Sequence, residues 1–314
     1  SQWDVSNVIN MASMFYEAND FNQDIGAWDV SSVTNMQRML YSDNLSNSFN
    51  QDIGAWEVGN VTRMNRMFGG SPFNQDIGAW DVSNVTDMDN MFGSTPFNQD
   101  IGAWDVSNVT DMQGMLNNTP FNQDIGAWEV GNVTNMDSMF FNTPFNQDLG
   151  NWDVSSVTNM GRMFEGCSFN QPIGDWDVSN VTDMTDMFRG AAAFNQPIGN
   201  WDVSNVTNME TMLSNSGIST VNYDAILQGW AAQTVQNNVI LGAGGLFYCN
   251  AEAERQSLID NFGWTIEGDA VDPNCSPICE VEIIASATEI CAGESVDLSV
   301  NTIDNNDVCN LPVN

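Results

Sequence analysis

Side chains that could bind a metal recur along the chain at near-constant spacing. One column of acidic residues follows each tryptophan and a second follows Phe-Asn-Gln; their members include Asp76, Asp81, Asp100, Asp105 and Asp124. Carboxylate oxygens are the ligands that calcium prefers, so these five aspartates are candidate calcium ligands. The alternative is a solvated acidic face, because one aspartate per repeat supplies few ligands and the glycine-rich nonapeptide of calcium β-rolls is missing.

Sulfur and aromatic side chains recur with the same spacing. All 18 methionines lie in Met-x-x-Met pairs such as Met88 and Met91. Thioethers bind soft metals, but apolar residues at three- and four-residue spacing are more typical of a buried core. We therefore expect Met88, Met91 and Phe92 to be core residues. For Trp80 too, burial in the core is favoured over a role in stacking against sugars.

Catalytic residues are scarce. The chain has no histidine, and its 6 basic residues are all arginine, so the usual pairs of a nucleophile and a base are unavailable. Paired carboxylates hydrolyse glycosides in other proteins, but a uniform repeat offers no singular pair. The sequence predicts a protein that is not an enzyme and that has no cofactor apart from the candidate calcium.

The charge excludes several classes of partner. The chain carries 41 acidic residues and a net charge of −35. Nucleic acids and anionic lipids are bound by basic patches, so neither is an expected partner. No apolar run is long enough to span a membrane. An acidic surface without lysine suits a salty extracellular medium, in which counterions screen the repulsion.

The tryptophans set the register of a repeat. From Trp3 to Trp201 they lie 25, 28, 24, 24, 24, 24, 24 and 25 residues apart. The type unit, residues 73–92, reads FNQDIGAWDVSNVTDMDNMF. The spacing of 28 marks an insertion of four residues near Tyr41 and Leu45. Insertions in repeat proteins map to loops on one face, so this irregularity is where we expect a binding site.

The pattern inside the unit predicts one short strand and one short helix. Trp80 and Val82 alternate with Asp81, as in a strand with one buried face. The stripe through Met88 and Phe92, with Thr86 as its N-cap, indicates a short helix. Such units must stack to share a core, so residues 1–215 are predicted to form a leucine-rich-repeat-like solenoid with a parallel sheet, one unit per 24–25 residues. Asn74 is expected in an asparagine ladder between units.

The period ends after Met212. Residues 216–274 are predicted to form an α/β cap, with a helix through Tyr223 and Trp230, a strand near Leu241 and a second helix N-capped by Asn250. Residues 275–314 hold two alternating strands, which is the beginning of an Ig-like β-sandwich. The chain is therefore expected to be part of a longer protein.

Five of the 6 cysteines lie in the last quarter of the chain. In an extracellular chain, clustered cysteines favour disulfides, and a bridge between Cys249 and Cys275 would join two segments of the cap. A zinc site is the alternative; its ligands would be Cys275, Cys279, Cys291 and Cys309.

Two further features recur in the repeats: a pair of positions that vary together and a column of asparagines in a glycosylation motif. Where the acid after tryptophan is Glu57 or Glu129, the residue two positions later is Gly59 or Gly131, and we expect acid and glycine to contact each other. Asn84 and its equivalents match the glycosylation sequon, but turn chemistry accounts for that column better.

The unit FNQDIGAWDVSNVTDMDNMF resembles the repeat of about 25 residues in BspA-like bacterial surface proteins, the lipoprotein-associated repeats of secreted Bacteroidota proteins. The segment after it and ATEICAGESVDLSV are similar to the caps and Ig-like modules of the same proteins. The resemblance implies a leucine-rich-repeat-like adhesin or structural stalk at the bacterial cell surface, exported by the type IX route. It implies other surface proteins or glycans as partners. The alternative function is a calcium- or glycan-dependent binding module that uses the acidic face.

Overall fold

The repeats stack one upon another through parallel backbone pairing. A computed structural model describes residues 3–275, together with the backbone of residues 280–285 and 298–303. Each repeat forms one coil of the chain, and each coil pairs with the next at a single position. These bridges link Asn10, Asn35, Arg63, Asp87, Asp111, Asn135, Asn159, Asp183 and Asn208 in order.

Within a coil the chain bends through a series of tight turns. The amide of Trp80 donates to the carbonyl of Ile77 (3.0 Å), and that of Val85 to Val82 (2.8 Å). Aspartate side chains reinforce these bends, because Asp81 Oδ1 accepts the Ser83 amide at 3.1 Å. Such Asx turns use the donor that a strand would need.

The segment after Thr86 carries most of the bonding between coils. The amides of Met88 and Phe92 donate forward, to Asp111 (3.0 Å) and Met115 (3.0 Å) of the next coil. Between them, Asn90 has φ of 51°. The Asn90 amide also donates forward, to Gln113 (2.7 Å), whereas the amide of Met91 donates to Met88 of its own coil (3.1 Å). The same position has positive φ in every coil, at Ser13, Arg38, Arg66, Asn90, Gly114, Ser138, Arg162, Asp186 and Thr211.

These contacts correct the expected strand-plus-helix unit. No strand or helix lies within residues 3–219, and the parallel pairing falls at Asp87, where the helix was expected, and not around Trp80. The left-handed residue at position 90 interrupts any α-helix, and the Asx turn at Asp81 interrupts the strand. Thr86 is not an N-cap; its hydroxyl donates to the carbonyl of Thr62 at 3.3 Å.

The core is made of columns of identical side chains. Trp80 is 4% exposed, and Met88, Met91 and Phe92 are fully buried. Trp80 Nε1 donates to the carbonyl of Ile53 in the preceding coil at 3.2 Å, so the indole both fills the core and ties two coils together. The buried apolar side chains form one continuous cluster from Val5 to Trp264.

An asparagine ladder runs along the turn that opens each coil. Asn74 Oδ1 accepts the Asn98 amide at 3.0 Å and Gln99 Nε2 at 3.0 Å. The same pair of bonds recurs between the coils that follow, as at Asn98, Asn122 and Gln123. One side-chain oxygen therefore joins two positions of the next coil.

Replacing Asn98 by alanine is expected to lower the free energy of unfolding by about 2 kcal/mol, because the Asn122 amide and the partly buried Gln123 Nε2 lose their acceptor. Gln123→Ala is the matched control, since it removes one donor and leaves Asn98 bonded to the Asn122 amide; its cost should be about half as large. Urea unfolding followed by tryptophan fluorescence measures both. Equal midpoints for Asn98→Ala and the unmodified chain would contradict the role of the ladder.

Regular elements appear only after the repeats. The helices are α1 (Thr220–Ala231) and α2 (Glu252–Phe262), and the strands are β1 (Ile240–Gly242), β2 (Phe247–Tyr248), β3 (Thr265–Glu267), β4 (Ala270–Val271), β5 (Glu280–Ala285) and β6 (Leu298–Ile303). Strands β1 and β3 are parallel, with Leu241 opposite Ile266. The Met209–Leu241 bridge continues the repeat ladder into the cap, so β1 covers the last coil.

Asp224 and Asp269 hold the cap together. Arg255 donates from Nε and Nη2 to the two oxygens of Asp269, both at 2.7 Å, and the Tyr223 hydroxyl donates to the same carboxylate. Asp224 accepts the amides of Cys249 and Asn250. Asn250 is therefore not the N-cap of α2; Ala251 occupies that position without a side-chain bond. Gly263 ends α2, with φ of 68°.

The chain divides into two compact units, residues 1–270 and residues 271–314. The predicted boundary between repeats and cap at 215 therefore lies inside one unit that shares a core. In the second unit β5 and β6 are antiparallel, with Glu280 opposite Ile303. Cys249 and Cys275 are each disulfide-bonded, and their pairing with each other stays a prediction. Cys279, Cys291 and Cys309 lie outside the described residues, as does the rest of the predicted sandwich.

Candidate functional site

Both acidic columns take part in the turns of their own coil. Asp76 Oδ1 accepts the Gly78 amide at 3.0 Å, and Asp81 Oδ1 accepts both the amide and the hydroxyl of Ser83 (3.1 and 2.6 Å). Asp100, Asp105 and Asp124 repeat these bonds. Within the described residues, no three acidic, histidine or cysteine side chains come close enough to hold a metal ion. The five candidate calcium ligands are therefore turn formers that the fold does not gather into one site.

A third acidic column lies at the positions of the backbone bridges, and its pKa values are shifted in the opposite direction. Hydrogen bonds from the Ser83 hydroxyl and then its amide hold the pKa of Asp81 below the ordinary value of 3.8, and Ser107 does the same for Asp105. Burial instead raises the pKa values of Asp87 and Asp111 above 3.8. The two columns therefore respond to pH in opposite directions.

Stability is expected to be greatest near pH ~4 and to fall on both sides. Below 3.8 the stability contributed by Asp81 and Asp105 is lost as pH falls through their lowered pKa values. Above 3.8 the stability contributed by Asp87 and Asp111 is lost as pH rises through their raised pKa values. Thermal unfolding at fixed ionic strength measures the profile.

The double variant Asp87→Asn, Asp111→Asn is the control for this profile, because asparagine already occupies the same column at Asn135 and Asn159. It should flatten the decline toward neutral pH and leave the acid side unchanged. A midpoint that rises steadily from pH ~4 to neutral in the unmodified chain would refute the assignment.

Two notches interrupt the acidic face where glutamate replaces aspartate. One, of about 570 Å³, is lined by Glu57, Gly59 and Asp81 among others. The other, of about 620 Å³, lies at the equivalent residues Glu129 and Gly131. A β-carbon on Gly59 would lie 3.0 Å from Asp81 Oδ2, and the nearest atoms all belong to Asp81. These nearest atoms belong to the next coil, and the expected contact between Glu57 and Gly59 stays a prediction.

The sequon asparagines are engaged in the stack. Asn84 Nδ2 donates to the carbonyl of Gly59 at 2.7 Å, and Asn108 Nδ2 to that of Ser83 at 2.8 Å. This bond joins neighbouring coils and is therefore not the local turn chemistry that the sequence favoured over glycosylation.

The four-residue insertion is held on the stack from both sides. The amide of Asp43 donates to Glu17 Oε1 (2.5 Å), and Asn47 Nδ2 donates to the carbonyl of Leu40 (2.8 Å). Below it lies the only Gly-Gly pair in the repeats, Gly69 and Gly70. A β-carbon on Gly70 would lie 2.1 Å from the carbonyl oxygen of Ser42, so the insertion fits only over glycine. That pair is the sequence signal that could have predicted a docked insertion.

The insertion also gathers ionisable side chains. The Tyr16 hydroxyl donates to Asp43, and the hydroxyls of Tyr16 and then Tyr41 lower the pKa of the Asp43 carboxyl. The bond to Asp43 raises the pKa of Tyr16. The pKa of Tyr41 is raised first by burial and then by its own interaction with Asp43. Tyr16 was not singled out from the sequence, because it belongs to the preceding coil.

Four arginines lie on this side of the coils, between the bridge and Phe-Asn-Gln: Arg38, Arg66, Arg162 and Arg189. Arg66 pairs with Asp89 at 3.2 Å. Further along, Arg162 and Arg189 share Glu165 and Asp186, with N–O distances of 3.4 to 3.8 Å. The fold thus brings together arginines that are scattered in sequence.

These features define a tandem-repeat protein with a uniform core and one ordered insertion. Residues 1–96, 70–167 and 141–241 each match the family described as "Mycoplasma protein of unknown function, DUF285". Together the matches span more than half of the chain, which therefore belongs to this family. Searches of the curated proteins and of the solved structures found no match. None of the helices in the described residues has the length and hydropathy to cross a bilayer.

Proposed function

We propose that this chain is a non-enzymatic, extracellular surface protein that acts as an adhesin or structural stalk. The carrying observation is the docked insertion: a stack of near-identical coils presents one rigid irregularity, fixed by Glu17, Asn47 and the glycine pair beneath it. Binding residues are characteristically found on loops that a rigid scaffold positions. The repeats supply the scaffold and the insertion supplies the contact.

The repeat pattern supports a solenoid of the leucine-rich-repeat-like class with a capped end. Each coil bonds only to its neighbours, which is the organisation of solenoids. The resemblance to BspA-like repeats favours a bacterial cell surface, and the net charge of −35 suits an extracellular medium. Other surface proteins or glycans are the proposed partners.

Two measurements test this function. Antibody labelling and mild proteolysis of intact cells that produce the chain should reach the repeats. Deleting residues 43–46 restores the 24-residue period, since Tyr41, Ser42, Asn47 and Ser48 then take the places of Gly93, Ser94, Thr95 and Pro96. The deletion should keep the fold and abolish cell adhesion. Labelling only after lysis would refute a surface role, and undiminished adhesion would refute the role of the insertion.

The alternative is calcium-dependent binding by the acidic face, where one oxygen of each turn-forming aspartate does not take part in the turn. It predicts a calcium-specific rise in the midpoint of thermal unfolding. Because Asp76 and Asp81 already serve their own turns, we expect millimolar calcium and EDTA at matched ionic strength to give equal midpoints. A rise with calcium alone would favour the alternative.

A further inference from the structure

A cavity of about 290 Å³ lies beside the insertion. Its lining includes Tyr41, Leu45, Arg66, Asn90 and Asn117, which come from four successive coils. Small polar ligands bind in concave sites that combine an apolar wall with a few fixed polar groups. This cavity has both.

The apolar wall is aromatic and accessible. Tyr16 and Tyr41 stack with ring centroids 6.0 Å apart and an interplanar angle of 13°. Tyr16 is 38% exposed and Leu45 is 66% exposed, whereas the tryptophans within the stack are buried. Tyr16 and Tyr41 are the only tyrosines in the repeats. Tyr41 lines the cavity, and Tyr16, which stacks on Tyr41 and hydrogen-bonds to Asp43, supports it from outside the lining.

The polar groups that line the cavity carry both signs of charge. Asp43 and Arg66 both line the cavity, and the amides of Asn90 and Asn117 are bonded to each other, Nδ2 to Oδ1, at 2.7 Å. A cation would meet Arg66 and an anion would meet Asp43. Hydroxyl groups both donate and accept, so a neutral polyol satisfies carboxylate, guanidinium and amide together.

The site is also preorganised. The backbone of the insertion is bonded to Glu17, and the Tyr41 ring lies over Gly69, where a β-carbon would be 2.8 Å from Tyr41 Cδ2. A ligand therefore does not have to order the loop, and that saves binding free energy.

We infer that this cavity binds a terminal pyranose of a neutral glycan, with the C–H face of the sugar against Tyr41 and Leu45 and its hydroxyls toward Asp43, Arg66 and Asn117. The inference rests on the proposed function, because it names the ligand class of the adhesive insertion. It differs from binding by the acidic face, where the tryptophans from Trp28 to Trp201 are buried.

Saturation-transfer NMR of the full chain tests it with methyl glycosides of glucose, galactose, mannose and N-acetylglucosamine. Methyl glucuronide and glucosamine are the charged comparisons. At least one neutral glycoside should bind, with a Kd of about 1 mM for a single sugar. Tyr41→Ala should abolish the signal. Phe141→Ala, an aromatic substitution in the same column of a later coil, should leave it unchanged.

Leu45→Gly separates binding from folding. Leu45 has φ of 54° and is mostly exposed, so glycine relieves strain and removes only a ligand contact. This variant should be at least as stable as the unmodified chain and bind the sugar at least fivefold more weakly.

The inference is overturned if no neutral glycoside binds, if charged sugars bind equally well, or if Leu45→Gly binds unchanged. If deletion of residues 43–46 abolishes adhesion but no glycoside binds, the inferred sugar ligand is refuted. The proposed adhesive function of the insertion then stands. If the chain binds a neutral sugar but is found inside cells, the sugar site stands and the proposed surface function is refuted.

Discussion

Replacing Trp104 by alanine is expected to lower the free energy of unfolding by about 4 kcal/mol. The indole is 3% exposed, and its Nε1 donates to the carbonyl of Ile77 at 3.2 Å. Alanine would leave a cavity beside Phe92, whose ring centroid lies 6.3 Å from that of Trp104, and would remove a hydrogen bond between two coils. Guanidinium unfolding followed by the fluorescence of the remaining tryptophans measures the loss.

Trp3→Ala is the matched control, because Trp3 belongs to the same column and is 63% exposed. Its expected cost is below about 1 kcal/mol. If both substitutions cost the same, the column would not be the core that the burial indicates. In a stack of coils a central defect also weakens both neighbouring interfaces, so the Trp104 variant should unfold with reduced cooperativity.

Gly102→Ala is the second substitution with a large expected effect. A β-carbon on Gly102 would lie 2.5 Å from the carbonyl oxygen of Asp124, so the next coil must move away. Overpacking against backbone, which cannot rotate aside, is expected to cost about 3 kcal/mol. Thermal unfolding at constant pH and salt measures the change.

Gly150→Ala tests the same column with almost no clash. Its nearest atoms would be Asp148 Oδ1 at 3.2 Å and the Pro172 carbonyl oxygen at 3.4 Å, where a proline follows in place of aspartate. We expect less than about 1 kcal/mol. A large loss at Gly150 with none at Gly102 would show that coil spacing does not set the glycine requirement.

The sequence predicts the core better than the backbone. Periodicity alone places Trp80, Met88 and Phe92 inside, because a residue that repeats in every unit must meet its own copy in the next. The strand assigned around Trp80 was wrong for a physical reason. Alternation of apolar and polar residues requires only that Trp80 and Val82 point inward, and a chain bent by an Asx turn at Asp81 satisfies that as well as a strand does.

The left-handed positions were beyond sequence reasoning. Arg66, Asn90 and Thr211 share positive φ although only asparagine favours it, so the stack imposes this conformation on residues that do not prefer it. The cavity near Tyr41 was equally hidden, since Arg66, Asn90 and Asn117 reach it from other coils. The insertion itself was visible as a change of spacing from 24 to 28 residues.

The direction of the bonds between coils has a consequence for inheritance. Backbone amides such as that of Met88 donate to the following coil, whereas side chains such as Trp80 and Asn84 donate to the preceding one. Every coil therefore shows the same two faces to its neighbours. A gene segment that encodes one 24-residue unit can be duplicated or lost by recombination without a mismatched junction. Copy number, and with it the reach of the protein, is thus free to vary between lineages while the insertion and the cap are kept.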